Sequence, residues 1–158
     1  MQLPVDPCAG CVLVVEDEVI LRMDIADRLR SSGFTVLEAL NGDHALIVLN
    51  TVENVALVIT DMRMPGQTDG AALLSWLRQE KPHIKVIVVS GNMASDKLPT
   101  NADARFSKPL DMEALVRRAR HLLDGTFGLR GRSTQDEFEL TREAWSAAIR
   151  PSFIAAFH

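Results

Sequence analysis

At 158 residues, 47% of them hydrophobic and 24% charged, the chain has material for one well-buried domain with an appendage and too little for two full domains. A formal net charge of −4 with only four histidines gives no overall basic field, so direct nucleic-acid binding is not expected. No apolar run approaches the length of a membrane span, and Met1-Gln-Leu-Pro-Val-Asp-Pro7 lacks the basic start and apolar stretch of a secretory signal. A cytoplasmic protein without membrane insertion is expected.

Residues 1–10 read as a flexible lead-in. Cys8 and Cys11 have Cys-x-x-Cys spacing but no second pair, and they precede the first strand instead of opening a helix. The simpler reading is that Cys11 enters the strand as a small hydrophobe. From there, short β-branched runs at 11–15, 34–38, 55–60, 85–90 and 104–107 alternate with segments of helical period, the signature of parallel strands joined by helices. The first helical segment offers Val19, Met23, Ala26 and Leu29 as its core face. The second offers Ala45 and Leu49, the third Leu73, Leu74 and Leu77, and the last Met112, Leu115, Ala119 and Leu122. Gly33, Asn41-Gly42, Pro65-Gly66 and Pro82 punctuate the elements, and Asp111 can cap the last helix. Only about 14 residues, with Gly91 and Pro99 among them, separate Ser90 from the fifth strand, so the fourth helical segment is expected to be short or irregular.

The strand ends carry the chemistry. Val12-Leu-Val-Val15 leads into Glu16-Asp17-Glu18, the run 55–60 into Asp61, Val86-Ile-Val-Val89 into Ser90, and Arg105-Phe106-Ser107 into Lys108-Pro109. In a five-stranded α/β sheet of flavodoxin-like order 2-1-3-4-5, the ligand crevice lies beyond the carboxyl ends of strands 1 and 3, where Asp17 and Asp61 fall. Carboxylates gathered there repel one another and call for a cation. Magnesium suits them, because it accepts one or two carboxylates and keeps several waters.

This ordered series of acid, acid, hydroxyl and ammonium resembles the receiver domain of two-component response regulators, over roughly residues 11–124. The resemblance implies that Asp61 is the phosphoacceptor, taking a phosphoryl group from a phosphohistidine on a histidine kinase or histidine phosphotransfer protein. It also implies that Asp17, Asp61 and the backbone carbonyl of Arg63 bind Mg2+ directly, with Glu16 reaching the ion through water. Lys108 and Ser90 would contact phosphoryl oxygens, and Lys108-Pro109 would be a cis peptide. Glu18 reads as a helix-start acid. Arg63 and Asn92 stand where the family tunes hydrolysis of its acyl phosphate. The family's aromatic switch residue three positions before the lysine is here Arg105, with Phe106 one later, so a modified switch is expected: Phe106 takes the role, or Arg105 responds by charge.

Residues 125–158 read as a linker followed by an amphipathic helix, opened by a Thr134/Glu137 capping box and carrying Phe138, Leu140, Trp145 and Ile149 before Pro151. That face could fold back on the receiver, form a homodimer or contact a kinase. The whole is expected to be a single-domain receiver acting on a downstream protein without DNA-binding output. Two competing readings are a haloacid-dehalogenase-like magnesium phosphatase, whose nucleophile should follow strand 1 in an Asp-x-Asp pattern, and a pseudo-receiver that binds partners without phosphorylation.

Overall fold

The computed structural model describes residues 10–91 and 101–127, with side chains through Asp124. Among these residues the elements run β1 (Cys11–Val15), α1 (Val19–Ser31), β2 (Val36–Ala39), α2 (Gly42–Thr51), β3 (Val55–Asp61), α3 (Gly70–Glu80), β4 (Lys85–Ser90), β5 (Ala104–Ser107) and α4 (Met112–Phe127). All neighbouring strands pair in parallel, and the sheet order is β2-β1-β3-β4-β5. The expected flavodoxin-like topology is therefore the observed one. Parallel strands need long crossovers, and those crossovers place helices on both faces.

The central strands are covered on both sides, which is why their sequences are continuous apolar runs instead of alternating ones. Leu13, Val15, Val58, Val86 and Val88 pack with Leu49 of α2 and with Leu73 and Leu77 of α3. Alternate residues Val12, Val14, Ile59 and Ile87 pack with Ile25 and Leu29 of α1 and with Leu115 and Ala119 of α4. Each buried Val, Leu or Ile among them contributes about 1.5–3 kcal/mol on leaving water. Because the chain leaves β1 for β2 on one side and returns for β3 on the other, a crevice opens beyond the carboxyl ends of β1 and β3.

Two local features differ from the sequence reading. The core face of α1 is Arg22, Ile25, Ala26 and Leu29, whereas Val19 and Met23 are 52% and 49% exposed. An arginine occupies the first place in the buried i, i+3, i+4, i+7 stripe, so apolarity alone pointed to a face rotated toward Val19 and Met23. The second strand begins at Val36 and not at residue 34, because the preceding residues close α1. Gly33 has φ 98°, its N–H donates to Arg30 O at 3.0 Å, and the Phe34 N–H donates to Leu29 O at 3.1 Å. This is a Schellman closure, and only glycine adopts its positive φ without strain.

The expected irregular fourth helical segment falls on residues 92–100, outside the described residues. Where the chain is next described, Arg78 of α3 holds it. Nε donates to Asn101 O at 2.9 Å, Nη1 to Ile84 O at 3.0 Å and Nη2 to Asp103 Oδ2 at 2.8 Å. The same Asp103 oxygen accepts the Val86 N–H at 2.8 Å. Asp111 caps α4 as expected, accepting the Ala114 N–H at 3.0 Å. The helix then runs through Gly125 to Phe127, three residues into the stretch read as linker. Cys11 is fully buried in β1; Cys8, Asn92 and the amphipathic segment from Thr134 lie outside the described residues. No helix among the described residues is long and apolar enough to cross a membrane.

Candidate functional site

Asp61 is the last residue of β3 and 7% exposed. Its strand end is held from three sides. The Met62 N–H donates to Val89 O at 3.0 Å, the Arg63 N–H donates to Asp61 Oδ1 at 3.1 Å, and Gly70, at the start of α3, packs against the Asp61 carbonyl so closely that a Cβ there would collide with it. Asp69 caps α3 by accepting the Ala72 N–H at 2.8 Å, fixing where that contact begins. The loop between β3 and α3 turns at Gly66, φ 110°, behind Pro65, a position that favours glycine. It leans on α2, where Gly42 has no room for a Cβ beside the Thr68 carbonyl.

Lys108 reaches across from the end of β5. Its Nζ lies 2.7 Å from Asp61 Oδ2 and 3.2 Å from Glu16 Oε2. Its own N–H donates to Ser90 O at 2.9 Å, and the Lys108-Pro109 peptide is cis, as expected. Glu16, 2% exposed at the end of β1, accepts the Glu18 N–H on Oε1 at 3.1 Å. Glu18 itself stands at the N-cap of α1 without a side-chain capping bond, so Glu16 serves that helix end. Asp17, next in chain, is exposed. Carboxylate oxygens of Glu16, Asp17 and Asp61 lie within 4.8 Å of one another.

Crowding sets the electrostatics. Burial pushes the Glu16 carboxyl up to about 7, with the Asp61 charge adding to the rise, while the Glu18 N–H and Lys108 oppose it. Burial works against the Lys108 charge, but the hydrogen bond and charge of Asp61, then those of Glu16, outweigh it and hold the ammonium above its ordinary range. Three hard oxygen donors, two buried and one facing solvent, fit a small divalent cation that retains water.

Ser90 is 1% exposed at the end of β4, one residue past Val89, which pairs with Asp61. Arg63 is exposed two residues after Asp61. Arg105 is exposed and pairs with Val88, whose side chain packs toward α2 and α3. Phe106 pairs with Val89 and packs on the α1 and α4 side. The structure thus brings Glu16, Asp17, Asp61 and Lys108 together, places Ser90 at the same edge, and sends Arg105 and Phe106 to opposite faces. Sequence reasoning missed Arg22, Asp69 and Gly70. The last two were readable as Asp-Gly ahead of the apolar run of α3, a capping residue followed by a residue without Cβ.

A 2-1-3-4-5 parallel sheet with a carboxylate trio and an ammonium at its carboxyl edge defines the receiver class of signalling domains. The chain belongs to the response regulator receiver domain family, whose model matches residues 12–120. It is 40% identical over 122 residues to the sensor kinase CckA of Brucella abortus, covering 73% of this chain and 13% of that kinase. Similarity to the sporulation initiation phosphotransferase F of Bacillus subtilis is 28% over 108 residues, 66% of this chain and 86% of that protein. The response regulator TrrA of Thermotoga maritima, solved in complex with Mg2+ and BeF, superposes with a TM-score of 0.65 at 29% identity, over 72% of this chain and 98% of that one. Several curated relatives are longer proteins, of which the chain spans between 13% and 50%. Receiver domains work with histidine kinases or phosphotransfer proteins in two-component signalling.

Proposed function

We propose that this protein accepts a phosphoryl group on Asp61 from a phosphohistidine of a histidine kinase or histidine phosphotransfer protein, and that the modified form changes its affinity for a downstream protein. The observation that carries this reading is the contact of Lys108 Nζ with both Asp61 and Glu16 at one sheet edge. An Asp61 carboxylate oxygen attacks phosphorus in line; the phosphorus–nitrogen bond to the donor imidazole breaks, the imidazole leaves as the neutral ring after taking a proton, and an acyl phosphate forms. Lys108 already lies at hydrogen-bond distance from the nucleophile, so it needs only a small shift to pair with a phosphoryl oxygen, and the Ser90 hydroxyl donates to another.

Asp17, Asp61 and the Arg63 carbonyl would hold Mg2+ directly and Glu16 through water. When bound, the ion neutralises charge on the carboxylates and on the transferring group. The acyl phosphate carries about two negative charges where the carboxylate carried one, which shifts the population of Ser90 and β5 arrangements. Arg105 responds by charge, a reading supported by the packing of Phe106 on the other face of the sheet. The receiver unit spans 11–124 in a cytoplasmic regulator or phosphoryl carrier that also hydrolyses its own acyl phosphate. The segment 125–158 serves as a docking or homodimerisation extension.

Incubation with Mg2+ and acetyl phosphate followed by intact mass measurement tests the reading. A phosphate-sized increase in the wild type, lost in Asp61→Asn and without Mg2+, is expected. No increase, together with no response to beryllofluoride, would leave a pseudo-receiver, and turnover of a phosphomonoester would instead support the phosphatase reading.

A further inference from the structure

Glu16 and Asp17 stand on a three-residue connection between β1 and α1, so the direction of their carboxylates depends on what fixes its backbone. Arg22, 8% exposed in the buried stripe of α1, turns back toward it. Nη1 donates to Glu16 O at 3.0 Å. Nε lies 3.4 Å from Glu38 Oε1 of β2, close enough for ion pairing, yet it is buried with no hydrogen-bond partner. Glu38 is shared with Arg30, whose Nη2 stands 3.0 Å from its other oxygen.

Packing does not explain this arginine. A guanidinium taken out of water costs several kcal/mol unless its hydrogen bonds and charge are met, and here one nitrogen is unmet. An aliphatic residue at the same stripe position would fill the space without that cost. The specific gain is the bond to the Glu16 carbonyl. With the Glu18 N–H on Glu16 Oε1, it pins Glu16 from both backbone and side chain. Through Glu38 it ties the connection to β2, on the far side of β1 from Asp61.

We infer that Arg22 is a positioning residue of the divalent-cation site, holding the Glu16-Asp17 backbone so that both carboxylates converge with Asp61. This rests on the Mg2+ site proposed above. Groups that orient metal ligands from behind change metal affinity by about 10–100-fold when removed.

Calorimetric titration of the 158-residue chain with MgCl2, alongside thermal unfolding, tests the role in wild type, Arg22→Met, Arg22→Lys and Glu38→Gln. Arg22→Met is expected to bind Mg2+ about tenfold more weakly or worse. Glu38→Gln weakens binding in the same direction by less, and Arg22→Lys restores part of the loss. Lowered unfolding temperatures with Mg2+ affinity unchanged in both Arg22→Met and Glu38→Gln would overturn the role and leave Arg22 as a structural residue only. Should Arg22→Met not fold, Glu38→Gln decides alone, a wild-type affinity in it overturning the inference. Absence of Mg2+ binding by the wild type would overturn the site reading itself, and this role with it.

Discussion

Lys108 is the residue on which the acidic edge depends. Its ammonium is the cation among the described residues paired with both Glu16 and Asp61, and Glu16 is already pushed up to about 7 by burial and by Asp61. In Lys108→Met both buried carboxylates lose that partner. Because the lysine side chain is 26% exposed, the loss without Mg2+ is expected to be about 1–3 kcal/mol by urea unfolding, below the range for fully buried pairs. Saturating Mg2+ should narrow that gap, since a bound cation offsets the same repulsion, while labelling by acetyl phosphate should slow by about 100-fold or more. Equal destabilisation with and without Mg2+ would separate the lysine from the carboxylates. His44 offers a second reading of charge. Burial, then the Arg22 charge, holds its imidazole below the ordinary 6.5, and its Nδ1 accepts the Leu40 N–H at 3.2 Å, which requires the neutral ring. The unfolded chain therefore binds the proton more readily. Its contribution to stability is fully present above pH 6.5 and declines as pH falls from there through the lower folded value. Proton NMR titration should show a midpoint below 6.5 in the wild type that moves up in Arg22→Met; a wild-type midpoint at or above 6.5 contradicts the assignment.

At the scale of elements, α1 and β5 show where residue patterns were and were not sufficient. The face of α1 was misassigned because a hydrophobic stripe normally excludes arginine, and no local rule announces that residue 22 reaches a carbonyl six positions back. Ala26 and Leu29 were readable; Val19 and Met23 were apolar but turned outward. The late start of β2 was hidden in the same way, since Gly33-Phe34 closes a helix by hydrogen bonds that apolarity does not encode. β5 is a marginal element: four residues, none of them fully buried. Among the described residues it pairs only with β4, at the edge of the sheet. The Arg78–Asp103 clamp compensates, joining α3, the start of β4 and the entry to β5 through charged hydrogen bonds. Arg78→Met is expected to cost about 2–4 kcal/mol, because it leaves the Ile84 and Asn101 carbonyls and the Asp103 carboxylate without that donor. Amide exchange in β5 should accelerate more than in β1 or β3. Uniform acceleration across the sheet would show that β5 and the centre open together.

For the molecule as a whole, sheet order and crevice followed from the alternation of strand and helix, because right-handed parallel crossovers leave few topologies. Asp61 and Glu16 stood out as charged groups at the termini of apolar runs, where burial without partners is costly, whereas Lys108 follows the mixed run Ala104-Arg-Phe-Ser107 and was read from the family resemblance. What holds them was less legible, since Arg22 and Gly70 act on backbone atoms of Glu16 and Asp61, contacts that no residue pattern encodes. The resulting fold keeps a cluster of like charges at one edge, and global stability should record it. A ligand bound only by the folded state adds RT ln(1 + [L]/Kd), about 2.7 kcal/mol at a hundredfold excess over Kd. In urea, Mg2+ should raise the unfolding midpoint of the wild type while leaving the slope unchanged, because the surface exposed on unfolding is the same. Asp17→Asn removes the exposed member of the trio. Without Mg2+ the variant should be at least as stable as the wild type, having lost repulsion, and with Mg2+ it should be the less stable of the two, having lost a ligand. That reversal of order distinguishes a cation site from an acidic cluster tolerated for other reasons, for which Mg2+ would move both proteins equally by screening alone.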